Sequence, residues 1–166
     1  MPKKKRRSKN KDDWTITDWE KWLWPVFSKF IRTRDALITT GTIWKCACVT
    51  CGKIYRIGKQ LQAGHFIPGR TRAILFDERC VHGQCYRCNK HLQGAWPPYY
   101  KFMLKVYGRE IVDGLIDLYD QDMELTPEWF EQSYEYYSWA VDYMQENQQL
   151  VGEEKYESSI NTCKEG

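Results

Sequence analysis

The chain has 166 residues, a formal net charge of +3 at pH 7 and a mean hydropathy of −0.68. This length suits one compact domain with additional helices. No stretch approaches the ~18 apolar residues that span a bilayer, and no apolar run follows the basic N-terminus, so we expect no membrane contact and no secretory signal. An odd number of cysteines, seven, favours metal binding in a reducing cytosol over a disulfide framework.

Charge is strongly segregated along the chain. Residues 1–11 carry seven Lys or Arg and no acid, and residues 44–94 carry nine basic and two acidic residues. Residues 109–166 instead carry three basic and fifteen acidic residues. Because a basic segment is the usual contact surface for a phosphate backbone, we expect DNA to contact the first two segments. The acidic part is a solvated face or a protein contact.

The N-terminal part is predicted to be a flexible arm followed by a helix. Residues 1–13 are polar without apolar periodicity and form a disordered basic arm, whose predicted DNA contacts are Lys3, Lys4, Lys5, Arg6 and Arg7. Residues 14–43 form an N-terminal helical segment. Its helix should run from about Asp18 to Leu37, with Thr17 and Glu20 as a capping box. Pro25 should kink or divide it.

The middle of the chain, residues 44–95, predicts a metal-bound core. Cys48-Val-Thr-Cys51 and Cys85-Tyr-Arg-Cys88 are two Cys-x-x-Cys pairs. Four thiolates at this spacing suit a tetrahedral Zn²⁺, and a closed four-cysteine site has no open position, so this zinc is predicted to be structural. Cys46 is an alternative to Cys48 with poorer spacing.

Short β signals, a loop and a short helix surround these cysteines. Residues 53–56 and 60–66 are predicted as two strands joined by a turn at Gly58, and a helix should begin near Arg87 and end at Gly94. Together they predict a ββα unit around a metal. Residues 96–150 are predicted as helices over 98–106, 110–119 and from Thr126-Pro127 to about 149, before a flexible tail, 151–166.

A series of motifs in this order resembles the NinG (Rap) recombination proteins of lambdoid and related phages. These motifs are Gln62-Ala-Gly-His65-Phe, Leu75-Phe-Asp-Glu-Arg79, Val81-His82-Gly-Gln-Cys85, Cys88-Asn89 and Lys105-Val-Tyr-Gly-Arg-Glu. The resemblance implies an α+β fold with a zinc-stapled ββα-metal (HNH-like) core and flanking α-helices. It implies an endonuclease that cuts branched DNA, such as Holliday junctions and D-loops, in the cytoplasm of a bacterial host. A homodimer that cuts two strands is compatible with it, and so is a monomer.

The candidate chemistry is phosphodiester hydrolysis. His65 fits the general base, and Asn89 fits an oxygen ligand for a catalytic Mg²⁺ or Mn²⁺. Further candidate ligands are Asp77, Glu78 and His82, of which we favour His82 because it shares a short segment with Cys85. Predicted phosphate contacts in the core are Arg70, Arg72, Arg87 and Lys90.

Three positions depart from the patterns of these families. Cys80 stands where an HNH motif has its central Asn, Gly64 stands where an Asp often precedes the catalytic His, and Ala95 follows Gly94 where NinG-like chains often have Asn. Alternatives therefore stay open. His65 can be a packed structural histidine, Asn89 can cap a helix, and the whole chain can be a catalytically inactive zinc module that binds DNA or a recombinase. A zinc deaminase is disfavoured because its His-x-Glu signature is absent.

Overall fold

The computed structural model describes residues 10–68, 71–121 and 123–148. The elements are α1 (Ile16–Thr40), β1 (Lys45–Ala47), β2 (Ile54–Arg56), β3 (Leu61–His65), α2 (Arg72–Leu75), β4 (Val81–Cys85), α3 (Trp96–Asp117) and α4 (Pro127–Glu146), with 3-10 turns at Lys11–Asp13 and Leu118–Asp120 and a π-helical turn at Arg87–His91. This mixture of helices and two small sheets is an α+β fold, as predicted. No helix in the described ranges is long and apolar enough to cross a membrane.

The N-cap of helix α1 lies two residues earlier than the predicted one. Thr15 accepts a hydrogen bond from the Asp18 backbone N–H, and the Asp18 side chain accepts one from the Thr15 backbone, which makes the capping box. The prediction of Thr17 and Glu20 for this role is therefore wrong. Pro25 lies inside one continuous helix, so it does not divide α1, and the left-handed Gly41 (φ +65°) ends it.

The core forms mainly between α1 and α4. The buried stripe of α1 contains Trp19, Leu23, Phe27 and Phe30, as the helical spacing predicted. Trp19 stacks on Phe130 of α4 with ring centroids 5.9 Å apart. Full burial of a side chain such as Phe130 contributes about 1.5–3 kcal/mol, so this contact stabilises the packing of α4 on α1. Helix α1 also contacts β1, β3 and β4, and it is thus the platform against which the sheets lie.

Two antiparallel pairs of strands lie on this platform. Strand β1 pairs with β2, and β3 pairs with β4, with Gly64 opposite His82 and His65 opposite Val81. The predicted strands at 53–56 and 60–66 both exist as β2 and β3, but the turn at Gly58 between them does not make them a hairpin. Each pairs instead with a strand that the sequence did not reveal.

The C-terminal helices agree with the sequence. Gly108 (φ +76°) interrupts α3 at the predicted boundary, and Thr126 caps α4 with Pro127 as its first residue. Ala95, just before α3, has a left-handed backbone (φ 49°, ψ 54°). Because Asn tolerates this conformation better than Ala, this backbone gives a physical reason for the Asn that the resemblance led us to expect at this position.

Candidate metal centre and active site

Four cysteine side chains converge where the two sheets meet. The Sγ atoms of Cys48, Cys51, Cys85 and Cys88 all lie within 4.8 Å of one another. Across the parts of the chain that the structure describes, this is the one group of three or more Cys, His, Asp or Glu that could hold a metal. Four thiolates at this spacing are the donor set of a structural Zn²⁺. Cys46 is buried beside Ala36 and Leu61, outside the group.

Backbone donors prepare this cluster for a cation. The Cys85 N–H donates to Cys48 Sγ over 3.2 Å, and the Cys88 N–H donates to Cys85 Sγ over 3.4 Å. Burial disfavours the Cys48 thiolate, but the Cys85 N–H and the Thr50 hydroxyl outweigh it and lower the pKa of Cys48 to about 7. Burial raises the pKa of Cys88 to about 12. A bound cation is therefore what would keep all four groups ionised.

A polar cleft of about 300 Å³ lies between α1, β3 and the π-helical turn. It is lined by Trp24, Ser28, Arg32, Gly58, Gln62, Ala63, Asn89 and Lys90. Arg32 is half-buried, and its Nε donates to the Ser28 carbonyl over 2.8 Å. Burial lowers the pKa of Arg32, and Arg32 forms no ion pair within the described ranges. A desolvated guanidinium without a carboxylate partner favours an external anion in this cleft.

His65 lies at the end of β3 and stacks on Trp24, which lines the polar cleft. The two ring centroids are 5.2 Å apart and the planes differ by 16°. His65 Nε2 lies 3.0 Å from the Leu75 carbonyl oxygen. Because a carbonyl only accepts, Nε2 carries the proton in the neutral ring, and the basic lone pair is then on Nδ1.

The loop that follows His65 is held by the main chain. The Phe66 N–H donates to the Cys80 carbonyl oxygen over 2.7 Å. The Cys80 side chain is fully buried, and burial raises its thiol pKa to about 12. Backbone oxygens of Leu75 and Cys80 thus hold His65 and Phe66 in place.

Asn89 also lines the polar cleft. Its Nδ2 donates to Gln62 Oε1 over 2.7 Å. This bond assigns the amide nitrogen to Gln62 and leaves Oδ1 as the acceptor atom of Asn89. The bond to a side chain on β3 differs from the helix-capping alternative, in which Asn89 would accept from a backbone N–H. Among the residues that the structure describes, no carboxylate lines this cleft.

The other candidate ligands lie elsewhere. His82 is directly opposite Gly64, so its side chain is on the opposite sheet face from that of His65. It lines a second cavity of about 450 Å³ together with Glu78. Its Nδ1 lies 3.3 Å from Asp35 Oδ2 and its Nε2 lies 3.2 Å from the Tyr107 hydroxyl. The structure therefore does not bring His82 or Glu78 together with Asn89, and a shared ligand set with His82 is not supported by this geometry.

Two of the remaining charged candidates, Asp77 and Arg72, lie in ion pairs within the chain. Asp77 accepts two bonds from the Arg79 guanidinium, at 3.0 and 2.6 Å, and Arg72 lies 3.4 Å from Glu20. Lys90 lines the polar cleft and Arg87 is exposed in the π-helical turn. Predicted contacts outside the described residues are Arg70 and the arm residues Lys3, Lys4, Lys5, Arg6 and Arg7.

A buried ionic network joins α1 to β4. Arg34 donates to Asp35 over 2.8 Å and to the carbonyl oxygens of Glu78 and Val81 over 2.9 Å each. Asp35 accepts the Gly83 N–H over 2.6 Å. Burial alone would raise the pKa of Asp35, but the Arg34 guanidinium and the His82 ring outweigh it, so this pKa lies well below its usual value.

Sequence reasoning missed the charged residues of α1 in both sites. Arg32 lines the polar cleft, whereas Arg34 and Asp35 form the buried network. A signal was present for Arg34 and Asp35, because both lie among the buried residues of a helix that is otherwise a core element, whereas Arg32 lies outside that buried set. A charge on a buried stripe needs either a partner or a ligand.

Comparison with known proteins gives one family. A sequence model described as "NinG: Bacteriophage Lambda NinG protein" matches residues 1–147. "Protein ninG" of Escherichia phage 933W is 34% identical over 99 residues, which cover 57% of this chain and 43% of that protein. The proteins of the same name from Escherichia phage lambda and Salmonella phage P22 are each 33% identical over 99 residues, covering 57% of this chain and 42% of theirs. The matched segment spans less than half the length of these relatives. No solved structure matches the chain.

Proposed function

Because the chain belongs to the NinG family, we propose that it is a metal-dependent, HNH-type endonuclease of phage recombination. Its substrates would be branched DNA, such as Holliday junctions and D-loops. The observation that carries the proposal is the polar cleft, where Asn89, the half-buried Arg32 and the Trp24 ring that stacks on His65 come together. Around the cysteine cluster, β3, β4 and the π-helical turn succeed one another in the strand–strand–helix order expected of a ββα unit.

The residues of the cleft suit an attack on a phosphodiester. A DNA phosphate would be held by Arg32, with Lys90 at the exposed edge. His65 Nδ1 would take a proton from a water molecule, whose oxygen attacks phosphorus while the bond to the 3′-oxygen breaks. Trp24 keeps the imidazole in place during this transfer by stacking on it.

A divalent cation fits this cleft only in part. Asn89 Oδ1 is a hard oxygen donor of the kind that Mg²⁺ and Mn²⁺ accept. Bound there, such a cation would supply charge neutralisation at the leaving 3′-oxygen. Since the lining residues include no carboxylate, DNA phosphate oxygens would have to complete its ligand set. We therefore expect the catalytic cation to bind together with DNA rather than before it.

A zinc module that binds branched DNA without cutting is the second candidate function. The observation that favours it is the same lack of a carboxylate in the cleft. Gly64 strengthens it, because a Cβ at this position would collide with the Gln84 amide, so the Asp that often precedes an HNH histidine does not fit. The two candidates share a DNA-binding cleft and differ only in hydrolysis.

Cleavage of a labelled four-way junction, beside a linear duplex of the same sequence, separates the two candidates. The zinc-loaded protein is assayed in Mg²⁺, in Mn²⁺ and in EDTA. The proposal predicts cutting that needs the cation and that is lost in His65→Ala. The matched control is His91→Ala, because His91 is an exposed histidine of the same core.

Binding measured in the same samples interprets a negative result. Tight junction binding without cutting in either cation would refute the nuclease and support the non-cutting module. Equal loss of cutting in both histidine variants, with zinc and folding intact, would remove His65 from the mechanism. Arg32→Gln should weaken binding and cutting, and Arg32→Lys should restore part of both, because a phosphate needs the positive charge.

A further inference from the structure

The hairpin next to the cysteine cluster carries a set of unneutralised cations. We call residues 44–59, which contain β1, β2 and the turn with Cys48 and Cys51, the zinc hairpin. It contains no acidic residue and four exposed basic ones: Lys45, Lys53, Arg56 and Lys59. None of the four forms an ion pair with any residue that the structure describes. This excess of positive charge favours an anionic partner outside the chain.

The register of the zinc hairpin concentrates this charge. Lys45 lies directly opposite Arg56 across the two strands. Like charges in directly opposite positions destabilise a strand pair, so this pair costs stability in the free protein. A phosphate placed between the two side chains would remove that repulsion.

Trp44 supplies an aromatic surface beside these cations. It is 69% exposed, more than any other tryptophan in the described ranges. The other seven tryptophans each contact another aromatic ring, whereas no ring contact of Trp44 occurs within the described parts of the chain. Ile54, which begins β2, is also 61% exposed. Aromatic side chains between cations are how proteins stack on unpaired bases while holding the adjacent phosphates.

Hydrogen bonds to α1 hold both ends of β1, so the backbone that carries these side chains has a fixed position. The Thr40 hydroxyl donates to the Lys45 carbonyl oxygen over 2.7 Å, and the Ala47 N–H donates to the Thr39 hydroxyl over 3.0 Å. Both threonines belong to α1, which also contributes Arg32 to the polar cleft. A nucleotide base bound at the zinc hairpin and a phosphate bound in the polar cleft would therefore both contact parts of the protein that α1 positions.

We propose that the zinc hairpin docks on DNA at a branch point, with Trp44 stacked on a base exposed there and Lys45 and Arg56 on the adjacent phosphates. The inference rests on DNA being the substrate, as under the proposed function. It provides a residue-level basis for a preference for branched DNA. The strands of a branch offer unstacked bases, whereas a linear duplex offers them only at its ends.

The test is DNA affinity of the full, zinc-loaded chain without Mg²⁺ or Mn²⁺, measured by fluorescence anisotropy on a four-way junction and on a linear duplex of the same sequence. Trp44→Ala should weaken junction binding about tenfold, as expected for one stacked base, and duplex binding less than twofold. The matched control is Trp139→Ala, an equally drastic change at a 61% exposed tryptophan on α4, which should leave both affinities unchanged. The double change Lys45→Gln with Arg56→Gln should reduce the salt slope by about 2 on both DNAs.

A 2-aminopurine base at the branch gives a direct readout of stacking. Its fluorescence should be quenched on binding by the unaltered chain and not by Trp44→Ala. Unchanged junction affinity in Trp44→Ala, equal losses on junction and duplex, or equal losses in both tryptophan variants would overturn the inference. Since no cleavage is measured, these outcomes are separate from the proposed function. A chain that never cuts DNA can still lose junction affinity on the change Trp44→Ala, and a chain that cuts DNA can keep its junction affinity after that change.

Discussion

Replacement of Asp35 by Asn tests the buried network that ties α1 to β4. Arg34 and Asp35 are only 8% and 9% exposed, and the guanidinium lies 2.8 Å from the carboxylate. The change keeps the shape of the side chain and an oxygen for the Gly83 N–H, but it leaves the buried Arg34 charge with only the more distant Glu78 carboxylate, 4.0 Å away and 36% exposed, as a counter-ion. Breaking a buried pair in this way costs about 3–5 kcal/mol. For a chain of this size, that corresponds to a fall in Tm of roughly 6–20 °C.

The pH dependence of this effect follows from the pKa of Asp35. Because the folded chain holds this pKa below the unfolded value of about 3.9, the charge stabilises the fold above that value and the effect is lost as the pH falls through the folded pKa. The titratable and charged groups that face Asp35 are Arg34, His82, Cys46, Tyr99 and Tyr107. The stability difference between the unaltered chain and Asp35→Asn should therefore shrink as the pH falls below about 4.

The assay is urea unfolding of zinc-loaded protein followed by circular dichroism. Asp77→Asn is the matched control, since it makes the same change in an Asp–Arg pair whose arginine, Arg79, is 50% exposed. Pairs of this exposed kind contribute about 0–1 kcal/mol. Both variants keep the four cysteines, and zinc content is measured at each pH so that only samples with one zinc per chain are compared. Similar losses in the two variants, or a difference that grows below pH 4, would refute the reasoning.

Three further predictions concern single residues. Cys51→Ser should lose zinc and the cooperative unfolding transition, whereas Cys46→Ser should keep one zinc per chain. Metal analysis together with thermal unfolding checks both variants. A Cys51→Ser protein that keeps its zinc and a normal Tm would contradict the four-cysteine site. Gly64→Asp should lower the Tm without a gain in cleavage because its side chain collides with Gln84; a stable and more active variant would show that the site accepts an Asp. Ala95→Asn should raise the free energy of unfolding by about 0.5–1 kcal/mol, because Asn adopts the left-handed backbone of this position (φ 49°) more readily than Ala. Urea unfolding measures this, and an unchanged or lower value would argue against backbone strain at Ala95.

The sequence predicted correctly several features that depend only on residues close together in the chain. The spacing of the Cys-x-x-Cys pairs identified the four clustered thiols, and Gly108 and Thr126-Pro127 marked helix boundaries. The N-cap of α1 was misplaced because Thr15 with Asp18 and Thr17 with Glu20 both have a capping-box spacing, and only packing selects between them. Of the two strands that were missed, β1 has three residues, too few for a period-2 pattern, and β4 is buried at every position, so its burial does not alternate.

Features that depend on long-range packing were not predictable from the residues alone. Arg32 acquires a role only because α1 lies against β3 and the π-helical turn. The position of His82 depends on the register of β3 and β4, which places it on the opposite face from His65. A shift of one residue in this register would have moved every side chain of the strand to the other face.

The most direct test of the proposed nuclease is the single-turnover rate of junction cleavage in Mg²⁺, compared between the unaltered chain and His65→Ala. Removal of a general base should lower this rate by about 10²–10⁴-fold. The junction affinity should stay within twofold, because the imidazole acts on water and not on DNA. Equal rates in the two proteins, or no cleavage by an unaltered chain that binds the junction tightly, would contradict the proposed mechanism.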